Sequence, residues 1–151
     1  MFQNLIRTAH VWFTLPLRLA LGLVFIAHGA QKVFGVWGGP GLSGMANMPA
    51  PLGLRPAWLW MGAAAFAELL GGVLVLLGLL TRVGALLIAV VMLVAIIGVH
   101  WAGGFFLSNQ PVPGFEYPFA LAGMALALLI SGGGRLSADE ALMDPRYRSR
   151  R

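Results

Sequence analysis

Long apolar stretches alternate with short segments rich in glycine, proline and polar residues along the whole chain. Four of them are long enough to cross a bilayer, which takes about 20 helical residues: about Leu15–Phe34, Ala57–Leu80, Val83–Phe105 and Tyr117–Ser131. None shows the strict apolar–polar alternation of a half-buried strand. Because a helix satisfies its own backbone hydrogen bonds in lipid, the pattern predicts four membrane-spanning helices and an all-α fold.

The connections between these spans differ in length. Residues 35–56 carry four of the nine prolines, so they cannot form one regular helix. Residues 80–82 suit a tight turn, and residues 103–115, with GG and QPVPG, suit a medium loop. The sequence therefore predicts a transmembrane four-helix bundle over residues 15–134, with a long outward loop between spans one and two.

Both ends of the chain have the pattern of membrane-surface segments. Residues 1–14 are predicted to be an interfacial amphipathic segment, because their apolar residues recur at helical spacing: Phe2, Leu5, Ile6, Ala9 and Phe13. Residues 135–151 are predicted to be a cytoplasmic basic tail. Within it, Ser137 and Glu140 have the spacing of a capping box that opens a short helix, and Pro145 should end that helix.

The distribution of basic residues predicts the orientation of the bundle, since cytoplasmic loops collect Lys and Arg. One side has eight of them: Arg7, Arg18, Arg82, Arg135, Arg146, Arg148, Arg150 and Arg151. The other side has Lys32 and Arg55. This difference places both termini in the cytoplasm, so a cytoplasmic (inner) membrane is the expected location.

Composition supports the membrane interpretation. Hydrophobic residues make up 59% of the 151 residues and charged residues 10%, whereas an ordinary soluble domain is about 45–50% apolar and about 25% charged. The net charge of +5 comes mostly from the arginines of one side, so it requires no nucleic-acid partner. Without cysteine, the chain itself cannot provide a thiol relay, an iron–sulfur cluster or a covalent c-type haem.

Ionisable side chains inside a span are costly, so each needs a partner or a function. Five of them fall in the outer half and come from all four helices: His28, Lys32, Glu68, His100 and Glu116. If the helices form a bundle, these residues converge in one pocket. Glu68 and Glu116 are the candidate catalytic residues, for proton transfer, while the lysine and the two histidines are candidate ligand-binding residues. The alternative is that a pair of them only fixes how two helices pack.

Small residues predict which face of span two is buried. Ala64 and Gly72 lie one turn on either side of Glu68, and this spacing lets helix backbones approach closely. The face bearing Glu68 is therefore expected to pack against a neighbouring helix. A buried glutamate must then find a cation or hydrogen bonds, or take up a proton.

Other residues near the span ends have two interpretations each. Trp37 and Trp101 could form a wall for a flat ligand such as a quinone ring, and the alternative is an aromatic belt at the interface. Arg18, Arg82 and Arg135 are interpreted as structural and topology residues, with Arg18 expected to extend to the lipid headgroups.

Two cofactor alternatives remain weaker than a quinone. His28 and His100 could ligate a b-type haem, but nothing else marks a haem crevice. The same histidines with Glu68 and Glu116 could hold a metal ion, although no further motif supports one.

The run RLALGLVFIAHGAQKVFG resembles the first span of DoxX-family membrane proteins. The resemblance continues through GVWGGPGLSGMANM, AELLGGVLVLLGLLTR and GFEYPFALAGMALALLISGGGRLS, and covers about Leu17–Asp139. The recurring polar positions of the family correspond to His28, Lys32, Glu68, Arg82, Glu116 and Arg135 in this chain. The resemblance implies a small four-span membrane protein; some relatives are quinone-linked subunits, and others belong to membrane redox complexes.

The leading expectation is a subunit of a quinone-linked membrane redox process, an oxidoreductase subunit without its own redox centre. Its electrons would come from a membrane or peripheral protein partner, and its pocket would lie in the outer half of the bilayer. One alternative is a non-catalytic accessory or scaffold subunit of a larger membrane complex. Another is a carrier or sensor of a small apolar molecule.

Overall fold

The computed structural model describes residues 2–107 and 111–143. In these ranges the chain is helical, without strands, and its α-helices are α1 (Phe2–Leu5), α2 (Thr14–Phe34), α3 (Gly41–Ala46), α4 (Ala57–Leu77), α5 (Thr81–Ala95), α6 (Glu116–Ser131) and α7 (Ala138–Leu142). The prediction of an all-α fold is confirmed. The basic tail that was predicted from Arg146, Arg148, Arg150 and Arg151 lies outside the described residues, as does Pro145.

Three helical segments are long and apolar enough to cross a membrane, and they match the first three predicted spans. They are Thr14–Phe34, Ala57–Leu77 and Thr81–Gly103. The third begins as α5 and continues through a π-helical turn at Ile96–His100 and a 3-10 turn at Trp101–Gly103. The fourth, α6, has 16 residues and is about 24 Å long, somewhat less than the roughly 30 Å of a hydrocarbon core.

Glycine ends both α2 and α4. Gly35 and Gly78 follow the last helical residues with φ of 72° and 65°, a left-handed conformation that costs glycine little. Each backbone N–H bonds back into the preceding turn, to Gln31 O and to Val75 O. The chain therefore reverses sharply after α4, and α5 begins three residues later, as predicted for the tight turn.

The four long helices form one bundle. α2 packs on α4, α4 on α5 and α5 on α6, and α6 closes the bundle with a smaller contact to α2. Their buried apolar residues form one core: Leu21, Phe25, Val75, Ala85, Ile88, Met92, Leu121, Ala125 and Leu128. On the outside, each helix exposes large aliphatic side chains, such as Leu23, Leu70, Leu93 and Ile130. Such an exposed apolar surface suits a bilayer rather than water.

The long loop between α2 and α4 contains short helical pieces instead of one helix, as its prolines predict. α3 packs against both α2 and α4, and Met45 of α3 is buried. The end of the bundle that carries this loop is called the loop end below, and the opposite end, which carries both ends of the described chain, is called the terminal end.

The segment before α2 is less helical than its apolar spacing predicts. α1 ends at Leu5, and residues 6–13 are not helical and lie along the start of the C-terminal segment. Ile6 and Thr8 are buried there. Ala9 N donates to Ser131 O, and Gly134 N donates to Thr8 Oγ1. Tertiary hydrogen bonds therefore replace helical ones over these residues.

The serine half of the predicted capping box is confirmed. Ser137 precedes α7, and its hydroxyl oxygen accepts a hydrogen bond from Glu140 N at 3.0 Å. The Glu140 carboxylate in turn accepts from Leu136 N at 3.0 Å. The cap fixes the start of α7 against the terminal end of the bundle.

Candidate functional site

Close packing of α2 on α4 brings two charged side chains together. A Cβ built on Gly29 would lie 2.5 Å from Leu69 N, and one built on Gly72 would lie 2.7 Å from Ile26 N. Only glycine permits this approach, in agreement with the small-residue spacing of span two. Lys32 lies in the last turn of α2, and its Nζ contacts Glu68 Oε1 as hydrogen-bond donor and ion-pair partner.

Glu68 is nearly removed from the surface. It is 3% exposed, so the expectation that its face packs against a neighbouring helix is confirmed. Its second oxygen, Oε2, is buried and is the one buried side-chain nitrogen or oxygen without a hydrogen-bond partner among the described residues. An unpaired buried acceptor costs about 1–3 kcal/mol, more when it is charged, so such a group calls for an explanation.

His28 does not join this pair. It lies one turn before Lys32 on α2 and is exposed, although the equivalent position two turns earlier, Leu21, is fully buried. This helix face is therefore less covered near the loop end than near the terminal end. Within the described chain, no hydrogen bond or ion pair connects His28 to Glu68.

His100 and Glu116 belong to a separate arrangement in the loop between α5 and α6. His100 Nδ1 lies 2.9 Å from Pro113 O, and Glu116 Oε1 accepts a hydrogen bond from Leu107 N at 2.7 Å. Both side chains thus hold this loop against the helix ends. Of the five predicted pocket residues, only Lys32 and Glu68 are joined by a hydrogen bond or an ion pair in the part of the chain that the structure describes. A role for the other three in ligand binding or proton transfer stays a prediction.

The two candidate tryptophans lie in different loops. Trp37 is 73% exposed and has a left-handed backbone conformation. Trp101 stacks on Phe115, with ring centroids 5.4 Å apart, and Phe105 contacts Phe115 edge-on. This arrangement is typical of an aromatic cluster at a membrane interface, and a quinone wall formed by the two tryptophans stays a prediction.

The metal alternative required four side chains from four helical segments to meet: His28, Glu68, His100 and Glu116. No group of three or more His, Asp or Glu side chains lies close enough to hold a metal ion in residues 2–107 and 111–143. His28, of the pair considered for haem, is exposed, whereas His100 Nδ1 lies 2.9 Å from Pro113 O; haem ligation by the two stays a prediction.

Arg18 is buried rather than extended to the lipid headgroups, which corrects the expectation for this residue. It is 3% exposed, and its guanidinium donates to five backbone carbonyl oxygens, those of Val75, Leu76, Gly133, Arg135 and Leu136. The end of α4 and the C-terminal segment both offer unpaired carbonyls, and Arg18 can satisfy several at once.

The other two arginines of the terminal end, Arg82 and Arg135, also make structural contacts. Arg82 donates to the carbonyls of Leu129 and Ile130 at the end of α6, at 2.9 and 2.8 Å. Arg135 places its guanidinium 4.8 Å from the ring centroid of Trp12, a cation–π distance. Both contacts join the terminal ends of separate elements.

Asp139 is a structural position that the sequence analysis did not single out. It is 1% exposed, and its carboxylate accepts from Leu80 N at 2.7 Å and from Thr81 N at 2.9 Å. It therefore caps the start of α5, a helix far from it in sequence. The sequence signal for such a cap is at Leu80, the residue before α5, whose side chain cannot cap the helix.

Comparison with known proteins gives two matches. The sequence model of the DoxX family matches residues 13–101 of this chain, a range that contains Lys32 and Glu68 but not Glu116. A protein of Bacillus subtilis (strain 168) named "Putative oxidoreductase CatD" is 35% identical over 115 residues, which are 76% of this chain and 77% of that protein. No solved structure matches.

Proposed function

Because this chain belongs to the DoxX family of membrane proteins, we propose that it is the membrane subunit of a quinone-linked redox process and that Glu68 is its proton-transfer group. The observation that carries this proposal is the buried and unpartnered Glu68 Oε2 beside Lys32. The name of the Bacillus relative, an oxidoreductase, supports the redox part of the proposal.

The chemistry of the pair suits a ligand that alternates between carbonyl and hydroxyl oxygens. Lys32 is bonded to Oε1, which leaves Oε2 to bond a ligand. A protonated Oε2 donates a hydrogen bond to a quinone carbonyl, and an ionised Oε2 accepts one from a quinol hydroxyl. A general acid within hydrogen-bond reach typically contributes about 10²–10⁴-fold to the rate.

The electrons come from outside this chain in our proposal. Reduction of a quinone to the quinol consumes two electrons, which a reduced redox-protein partner supplies, and two protons. Each proton passes through Glu68 Oε2, which water reprotonates between the two transfers. No second carboxyl group at the site is then required, so Glu116 can keep its bond to the loop backbone.

Lys32 has a separate role in this scheme. Its ammonium group balances the charge of Glu68 when the carboxylate forms, because an isolated charge in the bilayer interior is costly. It also stabilises negative charge that develops on the nearby ligand oxygen during reduction. Lys32 is thus an electrostatic partner of the proton-transfer group.

The proposed setting is a cytoplasmic membrane with both termini in the cytoplasm. The basic residues of the terminal end support this orientation, since Arg7, Arg82 and Arg135 lie there and Arg55 lies at the loop end. The loop between α2 and α4 then faces outward.

The proposal is tested by quinone binding and turnover. Ubiquinone-1 and its reduced form are titrated against the purified chain, and quinone reduction is measured in membranes that contain the native partners. We expect Glu68→Gln to lower turnover about 100-fold or more. Arg55→Gln, which removes one exposed charge in the loop, serves as the control with unchanged turnover.

Unchanged binding and turnover in Glu68→Gln would overturn the proposal. If ubiquinone-1 does not bind and the chain co-purifies with stoichiometric partners, the scaffold alternative takes its place. A bound lipid-like molecule that undergoes no redox change would instead indicate a carrier or sensor.

A further inference from the structure

The two ends of the bundle differ in the number of their buried polar side chains and in how those side chains are bonded. At the terminal end, six polar residues are at most 6% exposed: Thr8, Thr14, Arg18, Thr81, Ser137 and Asp139. Toward the loop end, Glu68 is the buried charged residue, and its partner Lys32 is only partly covered.

The polar groups of the terminal end satisfy one another. Arg18 bonds the carbonyls at the end of α4 and in residues 133–136. Asp139 bonds the backbone at the start of α5 and the hydroxyl of Thr81 at 2.7 Å, while Ser137 Oγ donates to Gly134 O at 2.6 Å. Within the described chain, no buried side-chain nitrogen or oxygen of this network lacks a partner. A network of this kind closes the terminal end and leaves no free group for a ligand or a proton path.

An apolar layer separates this network from the Lys32–Glu68 pair. Glu68 lies eight residues before Leu76 along α4, which is about 12 Å. Leu21 and Phe25 lie between Arg18 and Lys32 along α2 and are at most 2% exposed. Such a close-packed apolar layer has no polar atoms that could hold a water chain.

The exposed part of the pair lies toward the other end. Lys32 is in the last turn of α2, two residues before Phe34, and its side chain is 29% exposed, whereas that of Glu68 is 4% exposed. The lysine is therefore the part of the pair that reaches the surface, and it does so near the loop end.

From this asymmetry we infer that the Lys32–Glu68 site communicates with the loop side of the membrane only. Protons that enter or leave Glu68 pass by Lys32 and are exchanged with the aqueous phase on that side. The use of these protons in quinone chemistry rests on the proposed function, but the one-sided access does not.

The natural absence of cysteine allows a direct test. Single cysteines are introduced as Lys32→Cys, which removes the ion pair, and as Ala64→Cys, which leaves it intact. Ala64 lies one turn from Glu68 toward the loop end. Arg55→Cys and Arg7→Cys replace exposed residues and mark the loop side and the terminal side. A membrane-impermeant, charged maleimide is then added to sealed vesicles of each orientation. Maleimides modify the thiolate, which forms only where water reaches the thiol.

We expect Lys32→Cys and Ala64→Cys to be modified from the side on which Arg55→Cys reacts and to be protected from the side on which Arg7→Cys reacts. Modification of either site cysteine from the Arg7→Cys side would overturn the inference, and so would the absence of modification from both sides. Because the assay contains no quinone, its failure is distinguishable from failure of the redox proposal.

Discussion

The most informative residue of this protein is Glu68, because its two carboxylate oxygens have different surroundings. Oε1 is bonded to Lys32 Nζ, and Oε2 is buried without a hydrogen-bond donor. A buried ion pair gains little overall stability, but removal of one partner alone is strongly destabilising, since a charge is left uncompensated. The pair is therefore better explained by a demand for a charged or protonatable group than by a demand for stability.

A double-mutant cycle tests this view of the pair. Lys32→Met should destabilise the protein by about 3 kcal/mol, because Glu68 loses its cation. Addition of Glu68→Gln to the Lys32→Met variant should restore most of the lost stability, since no buried charge remains. Thermal unfolding in detergent micelles, followed by circular dichroism, measures both. Equal stability of Lys32→Met and the native chain would contradict the dependence of Glu68 on Lys32.

At the scale of elements, the contact between α2 and α4 positions the pair. Gly22, Gly29 and Gly72 lie along this contact, and a Cβ on any of them would meet atoms of the other helix at 2.8 Å or less. The backbones are thus as close as glycine allows. This closeness lets Lys32, near the end of one helix, reach a carboxylate in the middle of the other.

Substitution of one of these glycines should separate the helices. We expect Gly72→Ala to destabilise the protein by about 1–3 kcal/mol through overpacking and to weaken binding of ubiquinone-1. Gly123→Ala in α6 is the matched control, because nothing lies within 4 Å of a Cβ at that position. Unfolding temperatures and binding titrations of the two variants give the comparison. A Gly72→Ala variant as stable as Gly123→Ala would show that the helices can adjust.

At the scale of the whole molecule, the terminal end acts as one unit made of segments distant in sequence. Arg18 connects α2 to the end of α4 and to the C-terminal segment, while Asp139 connects α7 to the start of α5. His10 Nδ1 lies 3.0 Å from Glu140 Oε1, which adds a contact between the N-terminal segment and α7. These contacts close the terminal end, and the Lys32–Glu68 pair lies toward the opposite, loop end.

The topology of the molecule gives a further prediction. The four long helices of the bundle return the chain to the side on which it began, and in the proposed orientation that side is the cytoplasm. A fluorescent protein fused after Arg151 should therefore be fluorescent, and alkaline phosphatase inserted after Leu52 should be active. Active phosphatase at the C-terminus, with an inactive insertion in the loop, would reverse the orientation.

The sequence by itself determined the elements of this protein. The helix bounds of α2, α4 and α6 agree with the apolar stretches within a few residues, because the length and polarity of a span depend on the local sequence and on the thickness of the bilayer. The buried face of α4 and the serine cap before α7 were predictable for the same reason, since both depend on residues within one or two turns.

Only the tertiary structure decided which polar side chains meet. Lys32 rather than a histidine bonds Glu68, Arg18 turns inward to backbone carbonyls, and Asp139 caps a helix 58 residues away from it at Thr81. His100 and Glu116 stay with their own loop. These outcomes depend on the register and separation of helices that are far apart in sequence, and hydrophobic periodicity gives the face that packs but not the partner at each level.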